Sequence, residues 1–213
     1  MHDVDMIRVL GPIDVLTSMG PVSVGGGRVR ALLGALVVGA GHAVPVDHLQ
    51  EVLWNDDPPR SADNTLQSYI SHLRQILGTD AILLTDHSYE LVAEPAQIDA
   101  LRFESLLSQA IDARSDPKEC KRLSREALHL WRGRPFGKLA DDEHFMLEAY
   151  RLDELRLAAM ELSLEADLAL GHHDLIIGEL QVGVEEHPYH ERLWYLLIEA
   201  LATGDRRVEA LRE

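Results

Sequence analysis

Cysteine is nearly missing from this chain. Cys120 stands alone among 213 residues, which excludes an internal disulfide framework. No apolar run reaches the roughly 18 residues that a membrane-spanning helix needs. The opening Met1-His2-Asp3-Val4-Asp5 is acidic and lacks the basic-then-apolar layout of a secretory signal. These absences point to a cytoplasmic protein. Positive charge is scarce too, and the formal net charge is −16. Residues 1–93 carry five arginines and no lysine against eleven acids, a net of −6; in the remaining 120 residues, fifteen cations face twenty-five acids, a net of −10. A free-standing nucleic-acid binder normally shows a basic stripe, so such a function must work against this balance.

Catalytic signatures are also lacking. There is no nucleophile elbow and no phosphate-binding loop. Gly25-Gly26-Gly27 precedes a helix but has neither a following GK[ST] nor GxGxxG spacing, so it reads as a plain loop. The eleven histidines show no HExxH or Cys/His finger pattern. Their nearest groupings, His172-His173 and His187-x-x-His190, read as surface residues. Cys120 has no histidine nearby in sequence to activate it. No enzyme, metal or cofactor is expected. Asp141-Asp142-Glu143 reads as an acidic helix start that complements the helix dipole.

What the chain does have is 46% hydrophobic residues arranged with clear period. Residues 6–10, 13–17 and 22–24 read as three short strands broken by Gly11-Pro12 and Met19-Gly20-Pro21. A first helix over 28–40 places Val29, Leu32, Leu33, Leu36 and Val37 on one stripe. A second starts near Asp47, where Asp47 and Gln50 have capping-box spacing. The third, "SADNTLQSYISHLRQIL" over 61–77, sets Leu66, Ile70, Leu73 and Leu77 on one face, with Ser61 as its N-cap. Its other face holds Asn64, Thr65, Ser68, Ser71, His72 and Gln75, groups that can hydrogen-bond a base edge or simply be solvated. A hairpin follows, with Ile82-Leu83-Leu84-Thr85 and Tyr89-Glu90-Leu91-Val92 flanking Asp86-His87-Ser88. The composition changes at Glu94-Pro95, which sets a boundary between 1–93 and 94–213.

Beyond Asp99 the pattern is helical: 99–114, 117–131, 142–170, 173–186, 190–203 and 205–213. Gly171 and Gly204 lie 33 residues apart, and "LEADLALGHHDLIIGEL" aligns with "LIEALATGDRRVEALRE", close to the tetratricopeptide period. Such repeats bury a core by stacking and present a groove to a protein or peptide. A last helix of nine residues without a visible polar capping face reads as incomplete, so the chain is expected to be part of a longer protein. Trp131-Arg132-Gly133-Arg134-Pro135-Phe136 reads as core plus turn, and Trp194 and Tyr195 as packing between helices.

Against this background, "IRVLGPIDV", "RALLGALVVGAGHAVPVDHLQEVLW" and "NTLQSYISHLRQILG" with the closing hairpin resemble the winged helix of SARP/AfsR-type bacterial regulators. "DALRFESLLSQA", "SREALHLWRGRPF", "RLDELRLAAMELSLEADLALG" and "EHPYHERLWYLLIEAL" resemble the bacterial transcriptional activation domain (BTAD) of the same family. The resemblance implies an OmpR/PhoB-type α+β winged helix-turn-helix domain over 1–93. An all-α tetratricopeptide-like domain follows over 94–213. It also implies a nucleoid-associated regulator that binds promoter DNA at direct repeats as a homodimer, contacts RNA polymerase and activates secondary-metabolite or related genes.

On that resemblance the third helix enters the major groove. Asn64, Thr65, Ser68, Ser71 and His72 face bases, Arg74 faces a phosphate, Arg28, Arg30 and Arg60 position the domain on the backbone, and His87 sits in the wing. Relatives carry an arginine-rich "SRLRR" where this chain has Ser71-His72-Leu73-Arg74-Gln75, and Gly and Arg where it has Thr85-Asp86-His87-Ser88. Fewer cations mean weaker, less salt-dependent binding. The alternative is a protein-interaction scaffold of the same fold with weak or lost DNA binding.

Overall fold

The computed structural model describes residues 4–55 and 57–203. The chain opens with an antiparallel sheet of β1 (Val4–Arg8), β2 (Asp14–Thr17) and β3 (Gly20–Val22), in that spatial order. Ile7 pairs with Val15 and Arg8 with Asp14, with an irregularity between Val4 and Met6. The Arg8 guanidinium grips the Asp14 carboxylate through two bonds of 2.6 and 2.7 Å. Val9, Leu10 and Val15 are fully buried.

Three helices and a second sheet follow: α1 (Gly27–Val38), β4 (Val44–Pro45), α2 (Val46–Trp54), α3 (Ala62–Leu77), β5 (Ile82–Thr85) and β6 (Ser88–Leu91). The second sheet has the order β4-β6-β5, so the expected hairpin gains a third strand. Helix α1 buries the expected Val29, Leu32, Leu33, Leu36 and Val37, and also Gly34. A Cβ at Gly34 would stand 2.8 Å from a ring atom of Phe145, so only glycine lets that ring pack so close. Helix α2 begins at Val46 after Pro45, one residue before the expected start, and no side chain caps it.

Five helices complete the described chain: α4 (Asp99–Asp112), α5 (Pro117–Leu128), α6 (Glu143–Ala169), α7 (His173–Glu186) and α8 (Glu191–Thr203). Asp116 caps α5 by accepting from the backbone N–H groups of Lys118 and Glu119, with Pro117 at the first helical position. At the start of α6 the Asp142 carboxylate accepts from His144 N at 3.0 Å. The expected helix 205–213 and Gly204 lie outside the described residues. Among the described residues, no helix is long and apolar enough to cross a membrane.

The chain divides into two compact units. One comprises residues up to Arg102 together with Leu130–Asp153; the other comprises Phe103–His129 with residues from Glu154 onward. This division differs from the expected boundary at 93/94. Segment 130–153 joins the first unit because Arg132 N donates to Leu10 O at 2.8 Å and Phe136 N to Val9 O at 2.7 Å. The buried Asp99 carboxylate also accepts from the Val9 and Leu10 N–H groups, at 2.7 and 3.0 Å. We call the two the winged unit and the helical unit.

The core of the helical unit is built by Leu157, Leu164, Ile176, Ile177, Leu180, Leu193 and Leu197, among others. Its main buried charge is Asp167, 3% exposed. The carboxylate meets Lys121 Nζ at 2.6 Å, His172 Nδ1 at 2.8 Å and Arg125 Nη2 at 3.6 Å. Burial opposes its ionisation, but the hydrogen bonds from Lys121 and His172 hold its pKa below the ordinary carboxylate value.

Candidate nucleic-acid interface

Helix α3 has the two faces its sequence predicts. Leu66, Ile70 and Leu73 are buried, while Asn64, Gln67, Ser68, Ser71, His72 and Gln75 are exposed. Two of the expected readers also bond within their own helix. Thr65 Oγ1 donates to Ser61 O at 2.9 Å, and Ser68 Oγ donates to Asn64 O at 2.8 Å. Each hydroxyl keeps lone pairs and so faces outward as an acceptor. Thr65 is half-buried, which places it at the edge of the face. Ser61 holds the N-cap position but caps with no side-chain bond.

The expected capping box of α2 does not form. Gln50 instead reaches α3, where its Nε2 donates to Asp63 Oδ1 at 2.6 Å. Asp63 therefore ties the two helices together across their exposed sides.

The start of α1 borders this face. Gly25, at φ +112°, lies against His72: a Cβ there would be 3.4 Å from His72 Nε2. Gly26 caps α1 without a side chain, and the first turn holds no acid. Arg28 is exposed and Arg30 half-buried in that turn, and Arg60 is exposed just before α3. None of the three side chains has a hydrogen-bond or ion-pair partner among the described residues. Lys138, which sequence reasoning missed, is likewise unpaired among them. It lines a cleft of about 640 Å³ with Arg30, Pro12, Ile13 and Phe136. No local sequence signal places Lys138 beside Arg30, because the approach depends on segment 130–153 returning to the winged unit.

The wing is the hairpin β5–β6. Its two-residue turn has Asp86 at φ 46° and His87 at φ 59°, the double positive φ of a type I′ turn. His87 is exposed, with Nε2 3.9 Å from Asp47 Oδ1. Its carbonyl accepts from Val46 N at 3.1 Å, which ties the turn to the start of α2. Leu83 and Leu84 are 44% and 57% exposed.

Arg74 departs from expectation. Its guanidinium is half-buried and turned onto the protein, with Nε and Nη2 donating to Ile82 O at 2.9 and 2.5 Å. The side chain expected on a phosphate is committed to the wing.

Other candidates resolve as structural. Cys120 is buried, with Sγ 4.0 Å from Leu162 O, and burial pushes its thiol pKa up. Among the described residues no group of three or more His, Cys, Asp or Glu side chains could hold a metal ion. Phe136 is buried and Arg132 donates to Pro12 O, so segment 131–136 is core and turn. Trp194 is partly buried against the helical core, and its Nε1 donates to Pro188 O at 2.9 Å. Tyr195 is a correction: it is 55% exposed, with the Arg192 guanidinium 4.9 Å above its ring, instead of packed between helices.

Comparison with known proteins bears on both units. Residues 25–88 match the family model "Transcriptional regulatory protein, C terminal", and residues 98–213 match "Bacterial transcriptional activator domain". Regulatory protein AfsR of Streptomyces griseus is 34% identical over 95% of this chain, which spans 21% of that protein. Regulatory protein DnrI of Streptomyces peucetius is 32% identical over 96% of this chain, which spans 80% of it. Among solved structures, Mycobacterium tuberculosis EmbR in complex with a low affinity phosphopeptide superposes with a TM-score of 0.92 at 30% identity. That match covers 99% of this chain and 58% of the EmbR chain.

Proposed function

Because the chain belongs to the SARP-type family of transcriptional regulators, we propose that it acts by binding promoter DNA through α3 and the wing. The observation that carries this reading is the exposed polar face of α3 beside Arg28, Arg30 and Arg60, three arginines without a partner among the described residues. Asn64, Ser68, Ser71 and His72 read base edges, with Thr65 at the margin. An asparagine can bond adenine N6 and N7 together, worth roughly 1–3 kcal/mol of discrimination. Arg28, Arg30 and Arg60 neutralise phosphates, assisted by the uncapped N–H groups at the start of α1. His87 carries the wing toward the neighbouring groove. Family membership further supports two copies on direct repeats and a contact with RNA polymerase.

Three phosphate contacts give a salt slope of about −2.7, so affinity falls about 40-fold when salt rises fourfold. Fluorescence anisotropy on candidate upstream fragments from 50 to 200 mM salt tests this. A slope near that value, with specific fragments favoured over scrambled DNA, supports the reading. Absence of binding at 50 mM salt defeats it. The net charge of −6 over residues 1–93 favours the other reading, a partner-binding scaffold, and that second outcome would select it.

A further inference from the structure

We propose that Arg74 is a positioning residue for DNA binding: it fixes the wing to α3 and closes the open edge of the wing's sheet, and does not neutralise a phosphate. The inference rests on the DNA-binding reading above and concerns how its two contact elements are held in register.

The geometry runs through one carbonyl. In the order β4-β6-β5, β5 is an edge strand. Thr85 and Ser88 flank the two-residue turn and pair directly, followed by Leu84 with Tyr89, Leu83 with Glu90 and Ile82 with Leu91. Antiparallel alternation then points the backbone groups of Thr85 and Leu83 toward β6, and those of Leu84 and Ile82 toward the open edge. Ile82 is fully buried by its side chain, yet its carbonyl faces that edge. Arg74 meets it with two donors, at 2.9 and 2.5 Å. The Arg74 carbonyl meanwhile accepts from Gly78 N at 2.9 Å, the bond that closes α3. One residue therefore ends the helix through its backbone and starts the wing through its side chain.

The wing depends on such a hold. The third strand, β4, pairs with β6 at only Val44 and Pro45 and leaves β5 supported on one side, and the hairpin turns through two non-glycine residues at positive φ. Its edge also carries the exposed Leu83 and Leu84 with no charge of its own. Arg74 blunts that edge and sets where His87 is presented relative to Ser71 and His72. A guanidinium held this way contributes to affinity through geometry and leaves the count of neutralised phosphates unchanged.

The test uses the full chain with Arg74→Ala and Arg74→Lys, in two measurements. The first is anisotropy against a promoter fragment over a salt series. The second is hydrogen exchange of the β5 and β6 amides without DNA. Arg74→Ala is expected to weaken binding about tenfold with the salt slope unchanged, and to lower amide protection in both strands at least tenfold. Arg74→Lys keeps the charge and the reach but loses the fork, so its exchange should resemble that of the alanine variant. A slope shallower by about one with wing protection intact would make Arg74 a phosphate contact and overturn the proposal. Wild-type binding as tight as Arg74→Lys binding, with equal protection, would overturn it too. If the wild type binds no DNA, the DNA reading fails, while the exchange result alone decides whether Arg74 holds the wing.

Discussion

In the helical unit Lys121, Arg122, Arg125 and Arg192 each lie within 2.8 Å of a carboxylate oxygen, on Asp167, Glu119, Glu179 and Glu165 respectively. In the winged unit Arg28, Arg30 and Arg60 have no such partner among the described residues, although acids outnumber cations two to one over residues 1–93. Net charge hides this difference. A paired arginine has already exchanged its hydration for a carboxylate and adds little to counterion release, whereas an unpaired one is available to a phosphate. The winged unit's usable charge is therefore set by which cations are left free. By the same measure Arg74 and Arg132 do not count, since both are held by backbone carbonyls.

The sharpest separation of the two roles comes from Asp167. Its removal leaves Lys121 and Arg125 partly buried without their shared anion. Breaking a buried pair in this way costs about 3 kcal/mol or more. Asp167→Ala should lower the melting temperature by about 10 °C while the folded protein keeps its DNA affinity. A parallel loss of affinity at temperatures where the variant is folded would break the assignment of stability to one unit and contact to the other. The complementary change is Arg28→Gln, Arg30→Gln and Arg60→Gln together. Binding at 100 mM salt should weaken about a hundredfold and the slope should become shallower by about 2.7, with urea stability nearly unchanged. An unchanged slope would show that these arginines meet no phosphate.

How far this contrast was legible in the sequence depends on the range of the interaction. Helices α5 to α7 lie within three residues of their expected limits, because Pro117, Asp142 and Gly171 are local signals that act on neighbouring backbone. The hydrophobic stripe of α3 is local in the same sense. Strand Val44–Pro45 was not legible: two residues carry no period, and only pairing with Ser88 and Tyr89 makes them a strand. Gln50 misled because its spacing to Asp47 fits a capping box, while the helix starts one residue earlier and Gln50 finds Asp63 thirteen residues on. Arg74 misled for a related reason. Its position on the polar side of α3 is readable, but the carbonyl that captures it is exposed only by the strand order of the wing. The return of segment 130–153 to the winged unit, and with it Lys138, rests on backbone bonds to Val9 and Leu10 that no periodicity records.

A smaller effect contrasts the two buried acids. The Asp99 carboxylate lies 3.8 Å from Arg132 Nη2, and burial pushes its pKa up to about 6 despite bonds from Val9 and Leu10. Its folded state prefers the proton, so its stabilising contribution is complete below about pH 4, fades as pH rises toward 6, and is flat above. The loss is on the order of 2 kcal/mol. Asp167 runs the other way: with its pKa held down, its contribution is present at neutral pH and lost as pH falls below the ordinary carboxylate range. Urea unfolding from pH 4 to 7 should show a decline in the wild type that Asp99→Asn lacks. Identical pH profiles would mean that Asp99 stays ionised throughout.

The smallest expected effect bears on an acid of the proposed recognition helix itself. Asp63 is exposed at the first turn of α3, where its charge suits the helix dipole but opposes an approaching phosphate. Its structural task is to accept from Gln50 Nε2, and an asparagine oxygen can do the same. Asp63→Asn therefore separates charge from structure: the bond between α2 and α3 is kept and one negative charge is removed. DNA affinity at 50 mM salt should rise about threefold, with thermal stability within a degree or two of the wild type because the pair is exposed. The gain should shrink at 200 mM salt, because added salt screens an exposed charge. An unchanged affinity at both salts would place the phosphates away from the α3 N-terminus. Arg28 and Arg30 would then be engaging DNA from the α1 side, without Arg60.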